Sequence, residues 1–161
     1  MMRHIGTKIV IALAMTRAAY NEYRGWSLPA NEDGNDDGYL VEYTDGGKPN
    51  VAGHAGYVSW SPKEQFDAAY RETNGMPFGL AVEALKKGAR VARAGWNGKG
   101  MFVYLVPAAS YPAATQVAKD HFGADGMVPY NAYMAIKNVD GTVSTWAPSG
   151  SEALADDWAM V

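Results

Sequence analysis

Arg90, Arg93, Trp96, Asn97 and Lys99 crowd one short stretch of the chain, and a second indole, Trp146, closes another expected hairpin. These types together suit a nucleotide. A ring can stack on indole, an amide can read a base edge or a ribose hydroxyl, and cations can pair phosphate oxygens. The same residues also fit an ordinary hairpin with a packed tryptophan. Spacing alone leaves both readings open.

Other chemistries find little footing. The histidines, His4, His54 and His121, are far apart and show no metal-ligand spacing. With no cysteine in the chain, a zinc site would need several carboxylates. Each lone histidine therefore reads as a surface or capping residue. No Gly-x-Ser-x-Gly stretch presents a nucleophilic serine. Asp156 and Asp157 are neighbours, so on a strand they would face opposite sides and could not act as a pair. Asp36-Asp37 lies in a polar loop and reads as solvated. Gly95-Trp96-Asn97-Gly98-Lys99 resembles a phosphate-binding loop only superficially. Arg93 stands where that motif needs glycine, Gly100 where it needs Ser or Thr, and a strand follows in place of a helix. The expectation is a binding protein with no catalytic residues, no metal and no cofactor.

Composition narrows the partner. The 161 residues are 48% hydrophobic and carry a net charge of −3, which suits a packed core and argues against coating DNA or RNA. A small anion remains compatible, because one pocket needs few cations. Residues 1–75 hold seven basic and ten acidic side chains, and residues 76–161 hold seven of each. The second part is thus the better host for an anion. The absence of cysteine suits a reducing interior. The apolar run from Ile9 to Met15, preceded by Lys8, is too short to span a bilayer. It reads as a buried strand, so no membrane is expected.

The elements that would position these residues form two small domains, 1–75 and 76–161, of α+β class. The first is expected as a strand, a short helix over Met15 to Tyr23, strands over Gly38 to Tyr43 and Gly56 to Trp60, and a helix. Ser61-Pro62-Lys63-Glu64 offers that helix a capping box. Thr73-Asn74-Gly75-Met76-Pro77 breaks the pattern. The second domain opens with a helix whose stripe is Phe78, Ala81, Ala84 and Leu85, ended by Gly88. An antiparallel sheet follows. Arg90 to Arg93 and Met101 to Val106 form strands around Asn97-Gly98, a tight-hairpin signal. Tyr133 to Asn138 and Thr142 to Trp146 pair around Asp140-Gly141. A helical turn over Ser151 to Leu154 precedes a final strand, Asp157 to Val161. Tyr111 to Pro129 is an insertion with a helix around Thr115 to Phe122.

The order Phe78-Gly79-x-Ala81-x-Glu83-Ala84-Leu85-Lys86-x-Gly88-x-x-Val91-Ala92-Arg93-x-Gly95-Trp96-Asn97-Gly98-Lys99-Gly100-Met101 resembles the opening of the Thoeris anti-defence protein 2 family. The tail agrees, with Met134-x-x-Lys137-x-x-Asp140-Gly141, Trp146-x-x-Ser149 and Leu154-Ala155-x-Asp157-Trp158. The stretch from Ser110 to Asn131 matches no part of the pattern. The resemblance implies a phage protein that binds glycocyclic ADP-ribose signals, in some members also cyclic dinucleotides, and sequesters them without cleavage. It implies a homo-oligomer, a tetramer, acting in the host bacterial cytoplasm. It extends the ligand set of Arg93, Trp96, Asn97, Lys99 and Trp146 to Ser149 and Asp157. An enzyme degrading the same nucleotides, or a protein-interaction module built on aromatic strands, is the alternative.

The first domain resembles a small domain common in phage proteins, through Met15-Thr16-Arg17-x-x-Tyr20-Asn21-x-x-Arg24-Gly25-Trp26, Gly38-Tyr39-Leu40-Val41-Glu42-Tyr43-x-Asp45-Gly46-Gly47-Lys48-Pro49-Asn50 and Gly56-Tyr57-Val58-Ser59-Trp60-Ser61-Pro62. That implies an accessory domain to which no activity is assigned; its Tyr- and Trp-rich strands read as core, with an interaction surface as the alternative.

Overall fold

The computed structural model describes residues 2–3 and 6–161, and His4 lies outside the described residues. Contacts divide the chain into Met1–Arg71 and Glu72–Val161.

In the first unit, strands β1 (Val10–Ala14), β2 (Gly38–Tyr43) and β3 (Tyr57–Pro62) form an antiparallel sheet in that order. Helix α1 (Arg17–Arg24) starts where Thr16 accepts the Ala19 N–H and stops at Gly25, whose φ of 67° an L side chain would resist. Tyr20, Leu40 and Val58 are buried together, flanked by Met15, Val51 and Trp60.

Two expectations fail here. The opening strand forms, but as an edge, with Ile11 and Leu13 about 60% exposed, so it is not buried. Among the described residues, β2 alone pairs with it. The capping box at Ser61 is also absent. Pairing of Ser61 with Tyr39 and of Pro62 with Gly38 draws both residues into β3. Helix α2 (Lys63–Ala69) therefore begins after them, without a side-chain cap.

Glu42 is the buried acid of this unit, 8% exposed, and its partners organise the long β2–β3 connection. Its carboxylate accepts the Ala55 and Gly56 N–H groups at 2.7 and 2.9 Å and meets His54 Nδ1 at 2.8 Å. The far ring nitrogen of His54 lies 2.6 Å from the Tyr23 hydroxyl. The His54 bond, then those from Gly56 and Ala55, hold the carboxyl below the ordinary carboxylate range against the opposing pull of burial. A depressed folded-state pKa stabilises above the unfolded value, about 4.3, and that stabilisation is lost as pH falls through the lowered one. Thermal melts of the first unit should drop in that acid window. Glu42→Gln should melt lower at neutral pH yet decline less on acidification; an unchanged acid slope would remove Glu42 as the cause.

The second unit begins with α3 (Phe78–Lys86) and continues through β4 (Val91–Arg93), β5 (Phe102–Val106), β6 (Ala109–Pro112), α4 (Gln116–Phe122), β7 (Met127–Tyr130), β8 (Tyr133–Lys137), β9 (Val143–Trp146), α5 (Gly150–Ala153) and β10 (Trp158–Met160). Five strands make an antiparallel sheet in the order β10-β4-β5-β8-β9, and β6 and β7 form a separate ribbon. The stripe of α3 is buried through Ala81, Ala84 and Leu85, against Val91, Val103, Ile136 and Trp158. Gly88 follows with φ 87° and returns its N–H to the Leu85 carbonyl. Met76 exchanges both backbone bonds with Trp158, at 2.9 and 3.1 Å, which fastens the start of the unit to its last strand.

Candidate functional site

The loop of residues 94–101 joins β4 to β5, and it is wider than the tight hairpin that Asn97-Gly98 suggests. The two strands share one register pair, Val91 with Val103. Neither Asn97 nor Gly98 has positive φ; Gly100 does, at 75°. Gly98 serves close packing instead, because a Cβ there would run into Val139 Cγ2 at 2.7 Å and the Met101 thioether. The physical reason is that the loop packs down on its neighbours rather than turning back on itself.

Asp157, just before β10, clamps the base of this loop. Its carboxylate accepts from Arg93 Nε at 2.6 Å and from the Gly95 N–H at 2.9 Å, and its carbonyl takes the Ala94 N–H at 3.0 Å. Arg93 lowers the Asp157 pKa through that bond, and Asp157 in turn raises that of Arg93. The guanidinium thus keeps its charge while one edge is committed.

Trp96 is half-buried. Its ring meets Trp158 edge-on at 5.5 Å and Trp146 at 6.3 Å, and Trp146 meets Trp158 at 5.8 Å. Its Nε1 donates to Glu152 Oε1 at 3.2 Å. The other Glu152 oxygen takes the backbone N–H and hydroxyl of Ser149, closing a capping box on α5. The Ser149 N–H is the main cause holding the Glu152 carboxyl below its usual range.

The structure therefore brings together five of the residues singled out from sequence: Arg93 with Asp157, Trp96 with Trp146, and Ser149 through Glu152 to Trp96. Much of their hydrogen-bonding capacity is spent internally, which fixes their positions. Asn97 and Lys99 differ. Both are exposed on the loop, and among the described residues their side chains make no hydrogen bond or ion pair. Glu152 escaped the sequence reading, although Ser149-x-x-Glu152 is a capping-box spacing that could have found it.

A concavity of about 360 Å³ lies elsewhere in this unit, beside Gly88 and the β5–β8–β9 surface. Arg90 faces this hollow, its guanidinium 4.8 Å over the Phe102 ring and its Nε on the Val161 carbonyl at 3.2 Å. Phe102 pairs across strands with Lys137, and Lys137 with Val143. Tyr104 completes the wall, and among the described residues no Asp or Glu side chain lines it. Arg90, read from sequence as part of the turn, thus belongs to a different surface from Trp96. Phe102, Tyr104 and Lys137 were missed, although their alternation with buried Val103 and Ile136 is a strand signal. Both concentrations offer cations and aromatic faces, a chemistry fitted to a ring-bearing anion.

The model of the Thoeris anti-defense 2-like domain matches residues 76–161, from the Met76 bridge through α3 to β10. The chain belongs to the Thoeris anti-defense 2-like family. It is similar to Thoeris anti-defense 2 of Bacillus phage SP01, 38% identical over 90 residues, which cover 53% of this chain and 94% of that relative. The match to the Thoeris anti-defense 2-like domain includes the Trp96 loop, the Arg90 hollow and the β6–α4–β7 excursion, and leaves residues 1–75 outside. Among the described residues, no group of three His, Cys, Asp or Glu could hold a metal, and no helix is long and apolar enough to cross a membrane.

Proposed function

We propose that this protein is a phage anti-defence sponge whose residues 76–161 form a binding domain for a glycocyclic ADP-ribose signal. It sequesters the signal without cleaving it and so blocks Thoeris immunity in the host cytoplasm, as a homotetramer. Membership of the Thoeris anti-defense 2-like family is the observation that carries this reading. The loop chemistry supports it. Asn97 and Lys99 stand exposed beside an indole held in place by Glu152, and Arg93 keeps its charge beside them. In this proposal Trp96 and Trp146 supply aromatic surface, Lys99 and Arg93 face phosphate oxygens, and Asn97 reads a hydroxyl or base edge. Ser149 and Asp157 position the corner and offer polar atoms at its rim. Residues 1–75 are an accessory domain.

The test is capture and release. The full chain is incubated with glycocyclic ADP-ribose, freed of unbound ligand, sized by light scattering, and then heat-denatured. A loaded tetramer that releases intact nucleotide is the expected result, and a parallel incubation with a cyclic dinucleotide measures the breadth of capture. Asn97→Ala and Lys99→Gln should fold and assemble normally, because both side chains are exposed, yet retain at least about tenfold less nucleotide, ~1.4 kcal/mol. Release of a converted product would make the protein an enzyme. No retained nucleotide would overturn the reading altogether.

A further inference from the structure

The first unit, outside the family match, contains a hollow of about 400 Å³ between α1 and the β3 surface. Its walls include Trp26, Pro29, Tyr57 and Trp60, and two arginines reach it. The arginines are not equivalent. Arg17 lies 4.2 Å over the Trp60 ring and is neutralised by Glu32 at 2.8 Å and Asp36 at 3.1 Å. Arg24 lies 4.0 Å over the Trp26 ring and bonds the hydroxyl of buried Tyr20 at 2.8 Å. Among the described residues it meets no carboxylate.

Local geometry builds this arrangement. The left-handed Gly25 ends α1 and turns the chain back, with the Trp26 N–H bonded to the Asn21 carbonyl at 2.8 Å. That brings the Trp26 indole to the guanidinium of Arg24, two residues earlier at the end of α1. A guanidinium is weakly hydrated and favours an aromatic face, and the N–H groups of Arg24 not bonded to Tyr20 remain donors for an oxyanion. Trp26 and Tyr57 remain about half exposed, at 53% and 48%, so flat apolar surface stands open beside those donors.

We propose that this hollow is a binding site for a small ring-bearing oxyanion of nucleoside-monophosphate size. Arg24 takes the phosphate, and Trp26 and Tyr57 contact the ring. The volume falls in the range of small-ligand pockets and suits one nucleotide rather than two. The site is separate from the sponge chemistry and does not depend on it.

The probe is adenosine 5′-monophosphate, added to the full chain while the indole N–H signals of the five tryptophans are followed by NMR, assigned through single Trp→Phe variants. The expected result is a saturable shift of the Trp26 signal, with adenosine and inorganic phosphate each at least tenfold weaker. Arg24→Gln should weaken the nucleotide at least tenfold, and Arg24→Lys should recover part of the loss. Should Arg24→Gln fail to fold, Tyr57→Thr serves instead: at an exposed position, it should weaken the nucleotide while leaving inorganic phosphate unchanged. A Trp26 signal that never moves, or that moves equally in the folded variants, overturns the site. Equal binding of inorganic phosphate overturns the ring contact. If Arg24→Gln lowers only the melting temperature, the guanidinium is a structural staple.

Discussion

Trp158→Ala should destabilise the second unit by about 3–5 kcal/mol, the usual cost of removing a fully buried large aromatic. A unit of this size has little more stability than that to lose. The indole is 0% exposed and meets Phe78, Trp96 and Trp146 at 5.3, 5.5 and 5.8 Å. Its Nε1 donates to the Glu152 carbonyl at 3.0 Å, and its backbone closes the bridge to Met76. One substitution thus opens a cavity beneath α3 and removes the floor on which Trp96 stands. Urea unfolding followed by near-ultraviolet circular dichroism would measure it. A loss below about 1 kcal/mol would mean that the three-indole cluster is not the centre of the core. Trp158→Phe, which keeps most of the volume, should retain more than half of the stability.

Residue pattern made the helices and hairpins legible where local chemistry was unambiguous. The stripe Phe78, Ala81, Ala84, Leu85 with Gly88 behind it could only be a helix ending there, and α3 is buried on that stripe. The Asp140-Gly141 turn joins β8 to β9, with Gly141 at φ 90°. What stayed hidden was decided by distant partners. Nothing local says that β10 pairs with β4, or that the ends of the excursion, each carrying a proline, find each other as β6 and β7. Ile11 and Leu13 look like core residues until their strand is seen to lie at an edge. His54 looked solitary because Glu42 and Tyr23, its partners, are 12 and 31 residues away. The site shows the same division. The residues of the Trp96 corner were readable as types and spacings, but their assignment to fixed or free roles depended on Asp157 and Glu152 arriving from the far end of the chain.

That division of roles makes Trp96 the most informative position for the proposed sponge. Its flanking small residues suggest an indole open to a ligand, yet the structure packs it in T-shaped contact with Trp146 and Trp158 and ties its nitrogen to Glu152. Trp96→Ala therefore removes two aromatic contacts, each worth about 0.5–1.5 kcal/mol, together with any stacking on the ligand. It should lower both stability and retention, and cannot separate them. Trp96→Phe can. A phenyl ring keeps the edge contacts approximately and loses the indole breadth and the N–H. The expected outcome is a folded oligomer by circular dichroism and light scattering that retains glycocyclic ADP-ribose at least about tenfold less well, ~1.4 kcal/mol, within the 1–3 kcal/mol of a base stacked on an aromatic. Glu152→Gln supplies the control: it keeps an acceptor for the indole but removes the charge beside Arg93, so capture should fall much less than in Trp96→Phe. If Trp96→Phe captures nucleotide normally while Trp96→Ala unfolds, the indole only seals the core, and the ligand's ring lies elsewhere, with the Arg90 hollow and its Phe102 and Tyr104 walls as the next surface to probe.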